Sequence, residues 1–303
     1  MSALILKCIA CLTMLMDHIG YHTGIDWLRM VGRIALPIFV YLTASGYRKT
    51  SDPFRYILRL LAFALISEPI YDYCFFSTRY NGAQNIMFTL ALGLMAIMFV
   101  DKLRGKKYAF LLIPIPVGFI MYLADLMHAD YGMYGVLLAV LFYLFDPISE
   151  EARGRKPFFI AMTVIAGILF AGRFILLDYS TQALKALGES ASISFLSGIK
   201  LKPVSSWGKT QLWAIAALPF ILLYNGERGV NIKSPVLRKL YQYSFYLFYP
   251  LHLLIIALIV RHLKNLSYLF VHKPHPRGGN TAAGVRFMFI AIWYLLYYIP
   301  RFT

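Results

Sequence analysis

Apolar residues along this chain gather in runs of about 16–22, the length that a helix needs to cross a hydrocarbon core of about 30 Å. Ten such runs stand near 3–20, 27–46, 54–73, 85–100, 108–125, 132–146, 157–177, 210–224, 241–260 and 283–300. Short clusters rich in Lys, Arg, Gly and Pro separate them. The pattern predicts an all-α integral membrane protein, about ten transmembrane helices in a single bundle, with residues 1–303 forming one domain. No internal repeat is visible, so the inverted halves common among transporters are not expected. One connection, 178–209, is long, and a short interfacial helix is expected there. Another, around His272–Gly279, reads as an exposed turn.

The basic residues alternate between connections. Arg48, Lys49 and Arg55 flank the second; Lys102, Arg104, Lys106 and Lys107 fill the fourth. Arg153, Arg155 and Lys156 fill the sixth, and Arg228, Lys233, Arg238 and Lys239 the eighth. The first, third and fifth are poor in them. By the positive-inside bias, both termini lie in the cytoplasm, the 178–209 connection lies outside, and the protein is a multi-pass protein of the plasma membrane. Composition agrees: 59% of residues are hydrophobic and only 15% charged, against about 25% charged in soluble domains. The net charge of +16 is explained by the loops and does not point to nucleic acid. No small-residue cleavage site follows the first run, so no cleaved signal is expected. Cys8 and Cys11 form a C-x-x-C within the first run, without a second pair, which reads as helix packing rather than a redox or zinc site.

Ionisable groups within the apolar runs change the picture, because each costs roughly 2.5–3.5 kcal/mol at the centre of a membrane helix on insertion scales. Asp17 and His18 lie in the first run, about 22 Å from its start for His18. Arg33 lies about 9 Å below the outer surface on the second. Glu68 reaches a depth near Asp17, while Asn85, Asp130 and Arg173 sit at outer ends of their helices. These seven residues, from six helices, share the outer half. His252 falls near the midplane, and Arg55 and Arg59 lie toward the cytoplasmic side. A polar cluster above a basic mouth suits an anionic molecule entering from the cytoplasm and a second substrate from outside.

Each group also has a plain structural alternative. Asp17 and His18 are about 100° apart on a helix, so they do not face one point. Asp17 and Arg33 match in depth and suit an ion pair. His18 is the best base, since imidazole accepts a proton near neutral pH, but it suits an interhelical hydrogen bond equally, as does His252. Glu68 precedes Pro69, so it can also mark a kink. Arg173, Asp130 and Arg55 also fit as interfacial anchors. There is no P-loop, no H-E-x-x-H, no G-x-G-x-x-G after a strand and no G-x-S-x-G. No metal is expected.

Several segments together resemble the TraX family. They are Leu6-Lys7, Ala10 and Thr13-Met14-Leu15-Met16-Asp17-His18-Ile19-Gly20, then Gly32-Arg33-Ile34-Ala35-Leu36-Pro37-Ile38-Phe39 and Tyr56-Ile57-Leu58-Arg59-Leu60. Further on come Asn85 with Thr89 and Gly93, Asp130-Tyr131-Gly132-Met133-Tyr134-Gly135, Tyr224-Asn225-Gly226-Glu227-Arg228-Gly229 and Tyr249-Pro250-Leu251-His252-Leu253. The likeness covers residues 6 to about 260, and its most specific part is Asp-His-x-Gly followed by Gly-Arg-x-x-x-Pro. It implies a multi-span membrane acyltransferase of the kind linked to acetylation of pilin N-termini, taking acyl groups from cytoplasmic acyl-CoA. The important early histidine of that wider clan maps to His18. The 178–209 connection matches nothing in the family.

The expectation is an acetyltransferase with acetyl-CoA as donor and a polypeptide or glycan acceptor in or beyond the bilayer. His18 would be the general base, with Asp17 and His252 beside it in the catalytic group. Arg33, Glu68, Asn85, Asp130 and Arg173 would hold the acceptor, with His252, Asn85 or Arg33 also placed to steady a developing oxyanion. Arg55 and Arg59 would hold CoA phosphates. A transporter or flippase using buried Asp, Glu and His is the alternative, and an assembly scaffold is a third.

Overall fold

The structure, a computed structural model, describes residues 1–76, 83–148, 156–189 and 210–272, with side chains for all but 173–189 and 264–272. The described residues are helical and form no strand beyond one isolated bridge. The helices are α1 Ala3–Thr23, α2 Asp26–Gly32, α3 Ala35–Lys49, α4 Pro53–Phe75, α5 Ile86–Leu103, α6 Ala109–Leu112, α7 Pro114–Leu126, α8 Gly132–Leu144 and α9 Lys156–Glu189. A 3-10 turn, Leu212–Ala217, then runs into α10 Leu218–Leu222, and α11 spans Pro235–His272.

Five helical segments are long and apolar enough to cross a bilayer: Ala3–Thr23, Asp26–Lys49, Ile86–Leu103, Ala109–Leu126 and Pro235–Leu263. The protein is therefore an all-helical membrane protein. Helix α4 has 23 residues, about 35 Å of rise, but Arg55, Arg59, Glu68 and Asp72 make it too polar for that group. Its outer face, Phe54, Leu58, Leu65 and Ile66, is nonetheless apolar and exposed. Helix α8 has 13 residues, about 20 Å, short for a full crossing. The 210–224 run forms only the 3-10 turn and the 5 residues of α10, with Pro219 at the break.

The remaining differences from the apolar pattern have local causes. The 27–46 run divides at Arg33–Ile34 because Pro37 has no N–H for the Arg33 carbonyl. The 108–125 run divides at Ile113, ahead of Pro114. Helix α9 runs on to Glu189, well into the connection expected from residue 178, through Gln182-Ala183-Leu184-Lys185-Ala186-Leu187, all good helix formers. The rest of that connection, the 273–279 turn, Arg153 and Arg155, and the tenth run lie outside the described residues.

Packing closes a ring: α1 on α3, α3 on α8, α8 on α5, α5 on α4, α4 on α11 and α11 back on α1. Helix α7 lies outside against α5 and α8, and α9 against α8. The ring starts with a sharp reversal. Helix α1 ends at Gly24, whose φ of 72° is left-handed and whose N–H returns to Gly20 O at 2.9 Å. Helix α2 then folds straight back on α1. Gly32 makes this approach possible: a Cβ there would lie 2.6 Å from the Asp17 Cα and 2.7 Å from its Oδ1.

Any side chain at residue 32 must push α2 away from Asp17. Gly32→Val is expected to cost about 1–3 kcal/mol by overpacking, read as a lower thermal midpoint in detergent. Gly118→Val, at a position with open space around it, is expected to leave the midpoint near wild type.

Candidate functional site

The reversal between α1 and α2 brings charges together. Asp17 Oδ1 pairs with Arg33 Nη2, and Asp17 Oδ2 lies 3.2 Å from Arg29 Nη1. Arg33 is only 3% exposed, so its charge needs this partner. Its other Nη donates to the Tyr131 hydroxyl at 2.6 Å. Tyr131 is held in place by an unusual turn between α7 and α8, where His128 and Tyr131 have φ of 51° and 62°. Non-glycine residues reach this region at a cost and persist where surroundings fix them. Here Gln84 N donates to His128 O, Asp130 N donates to Gln84 O, and the Thr89 hydroxyl donates to Asp130 O.

A second polar contact joins α1 to α11. His18 Nδ1 and His252 Nε2 are 2.7 Å apart, and His252 Nδ1 is 2.7 Å from Phe248 O. His252 is 5% exposed. Asp17 thus turns toward α2 and His18 toward α11, as their angular separation requires.

Among the described residues, two adjacent cavities lie between helices of the ring. The larger, about 640 Å³, is bordered by Lys7, Lys49, Arg59, Arg228 and Arg238 and by no carboxylate. Among the described residues none of these five forms an ion pair. Neutral partners hold four of them instead: Lys49 donates to Tyr224 Oη and Gly226 O, Arg238 donates to Ile232 O, Lys7 sits over the Phe245 ring and Arg59 over the Tyr56 ring. The smaller chamber, about 70 Å³, is bordered by Asp17, His18, Asp130, Tyr131 and Tyr249 with apolar neighbours. Phe39, Met87, Leu90 and Phe245 border both, so the two lie against each other across these apolar side chains. From Lys7 to His18 along α1 is about 16 Å.

The sequence-predicted residues separate into groups. Asp17, His18 and Asp130 border the chamber; Arg33 and His252 lie directly behind it as partners of Asp17 and His18. Arg59 borders the basic cavity, whereas Arg55 does not. Its side chain is 79% exposed and pairs with Asp52, the N-cap of α4, at 3.0 Å. Glu68 and Asn85 also stay off the chamber wall. Asn85 caps α5 by accepting from Met87 N at 3.0 Å and donates to Ala64 O at 2.8 Å, and Glu68 accepts from its backbone N–H at 3.1 Å. They clamp α4 to α5. The Arg173 side chain lies outside the described residues.

Sequence reasoning missed Arg29, Tyr131 and the gathering of Lys7, Lys49, Arg228 and Arg238. Arg29 was signalled by its i, i+4 spacing from Arg33. Lys49, Arg228 and Arg238 each fit a loop-charge explanation and Lys7 lies near the start of α1, and only the fold brings the four to one space.

The family model described as TraX protein matches residues 2–260. A curated relative, the probable fimbrial assembly protein FimC, serogroup H1, of Dichelobacter nodosus, is 26% identical over 272 residues, covering 84% of this chain and 94% of the relative. No solved structure matches.

In the α7–α8 connection, burial pushes the Asp130 carboxyl up to about 6, with the Arg33 charge opposing the rise. A carboxyl raised in the folded state binds its proton more tightly there than in the unfolded chain. Its contribution to stability is therefore present below the unfolded value near 4 and is lost as pH rises through about 6. Asp130→Asn is expected to flatten the fall in thermal midpoint between pH 4 and 6, by an amount on the order of 1–3 kcal/mol.

Proposed function

This chain belongs to the TraX family, and on that footing we propose that it is an integral-membrane acyltransferase. It moves an acetyl group from acetyl-CoA to an amine or hydroxyl of an acceptor in or beyond the bilayer. In this reading it crosses the plasma membrane about ten times with both termini in the cytoplasm, so the basic cavity opens inward. The observation that carries the proposal is the cavity of about 640 Å³, lined by five cations and no carboxylate and adjoining the chamber beside His18.

The chemistry follows from that layout. Lys and Arg held by neutral partners keep their charge available for phosphates, and guanidinium suits them in geometry as well. Lys7, Lys49, Arg59, Arg228 and Arg238 would hold the nucleotide end of CoA. In this reading the thioester arm passes among Phe39, Met87, Leu90 and Phe245, whose apolar side chains would keep water from it. The chamber is much smaller than the basic cavity, which suits a short acyl group. His18 accepts the proton of the acceptor, and Asp17, fixed by Arg29 and Arg33, keeps α1 in register. The fimbrial assembly name of the 26%-identical relative favours a pilin-type N-terminus as acceptor, with an envelope glycan as the other candidate.

Calorimetry on detergent-purified protein tests the donor. Acetyl-CoA is expected to bind saturably to wild type and to His18→Ala, and about ten-fold or more weaker to Arg59→Ala. Folded protein that binds no acetyl-CoA in any form would remove the proposal.

A further inference from the structure

The two facing histidines are not equivalent, and their hydrogen bonds decide which nitrogen is basic. His252 Nδ1 lies 2.7 Å from Phe248 O, one turn back on α11. A carbonyl oxygen only accepts, so His252 Nδ1 carries the proton. A neutral imidazole has a single N–H, which leaves His252 Nε2 as a bare acceptor. That acceptor is 2.7 Å from His18 Nδ1, so the proton between them belongs to His18. The neutral His18 ring then has no proton for Nε2. The hydrogen bond that His18 makes among the described residues is through Nδ1, and the ring borders the chamber.

Ring orientation supports the same assignment. The two imidazole planes are 7° from parallel with centroids 4.9 Å apart. With a 2.7 Å nitrogen contact, the rings meet edge to edge rather than face to face, so the in-plane lone pair of His252 Nε2 points at the His18 N–H. Phe248 stacks on His252 at 4.9 Å and 11°, and Phe75 meets His18 edge-on at 5.2 Å and 75°. A half-turn of either ring would put a carbon where the bonded nitrogen stands and break the His18–His252 contact.

We propose that His252 is a positioning residue, which fixes His18 in the tautomer with Nδ1 protonated and Nε2 bare toward the chamber. This rests on the acyl-transfer reading for its purpose but not for its geometry. In the step, the acceptor proton moves to His18 Nε2 as the acceptor lone pair bonds to the acyl carbon. The carbon–sulfur bond breaks, and the leaving thiolate takes the proton back from Nε2. Throughout, His252 Nε2 accepts from His18 Nδ1, so the charged ring is as well held as the neutral one. His252 itself touches no reacting atom.

The test is nitrogen-15 NMR of histidine-labelled protein in nanodiscs, with the His18 signals assigned by their loss in His18→Gln. Wild type is expected to show His18 protonated at Nδ1 and bare at Nε2. A His18 protonated at Nε2 overturns the proposal whatever the protein catalyses. Turnover gives the second arm. His252→Gln, whose amide oxygen can accept from His18 Nδ1, is expected to hold kcat within about ten-fold, whereas His252→Phe loses about 10²-fold or more in kcat with KM for acetyl-CoA little changed. Equal loss in both variants overturns the proposal. A bare Nε2 in protein that transfers no acyl group supports the tautomer and removes the acyl-transfer reading instead.

Discussion

A carboxylate and a guanidinium cannot each be buried alone in an apolar bundle, and the pairing of Asp17 with Arg33 is the contact on which the upper half of this protein depends. Unpaired, either charge would cost several kcal/mol. Paired, they require α2 to lie directly on α1, which needs the left-handed Gly24 turn and a residue without a side chain at Gly32. Arg33 then reaches Tyr131, so the same pair draws the α7–α8 turn toward α1. Three parts of the chain are fixed relative to one another by one buried ion pair and its hydrogen bonds.

That arrangement sets where chemistry can occur. With Asp17 committed to α2, its neighbour His18 is rotated toward α11 and meets His252. The spacing of Phe245, Tyr249 and His252 puts the wall shared by both cavities, the chamber wall and the histidine partner on one stripe of α11. The opposite end of that stripe, near Arg238, belongs to the basic cavity. Charge is thus kept apart around the two spaces: Asp17 balanced by Arg29 and Arg33 beside the chamber, and cations with no carboxylate in the lining of the basic cavity.

Much of the helical layout is legible in the apolar runs, since the bilayer requires length and composition that few other settings do. Boundaries fail where proline intervenes, as at Pro37 and Pro114, or where good helix formers extend a helix past its apolar part, as in α9. The Asp17–Arg33 pair is legible from matching depth. The His18–His252 contact is not, because depth calculated along each helix says nothing about which faces meet, and His252 seemed by depth to lie lower than His18. Arg55 and Arg59 look alike in sequence, but Asp52 holds Arg55 at the helix end while Arg59 faces inward. Glu68 and Asn85 carry the polarity expected of a site, yet serve to cap α5 and join it to α4.

The central claim is that His18 delivers acyl transfer from a donor held in the basic cavity. Its most direct measurement is the transfer of radiolabelled acetyl from acetyl-CoA to cell-envelope material by protein in nanodiscs, with wild type beside His18→Gln. The predicted result is labelling by wild type that falls about 10²-fold or more in the variant, while acetyl-CoA still binds. Equal labelling by both, or none by folded wild type, would contradict it.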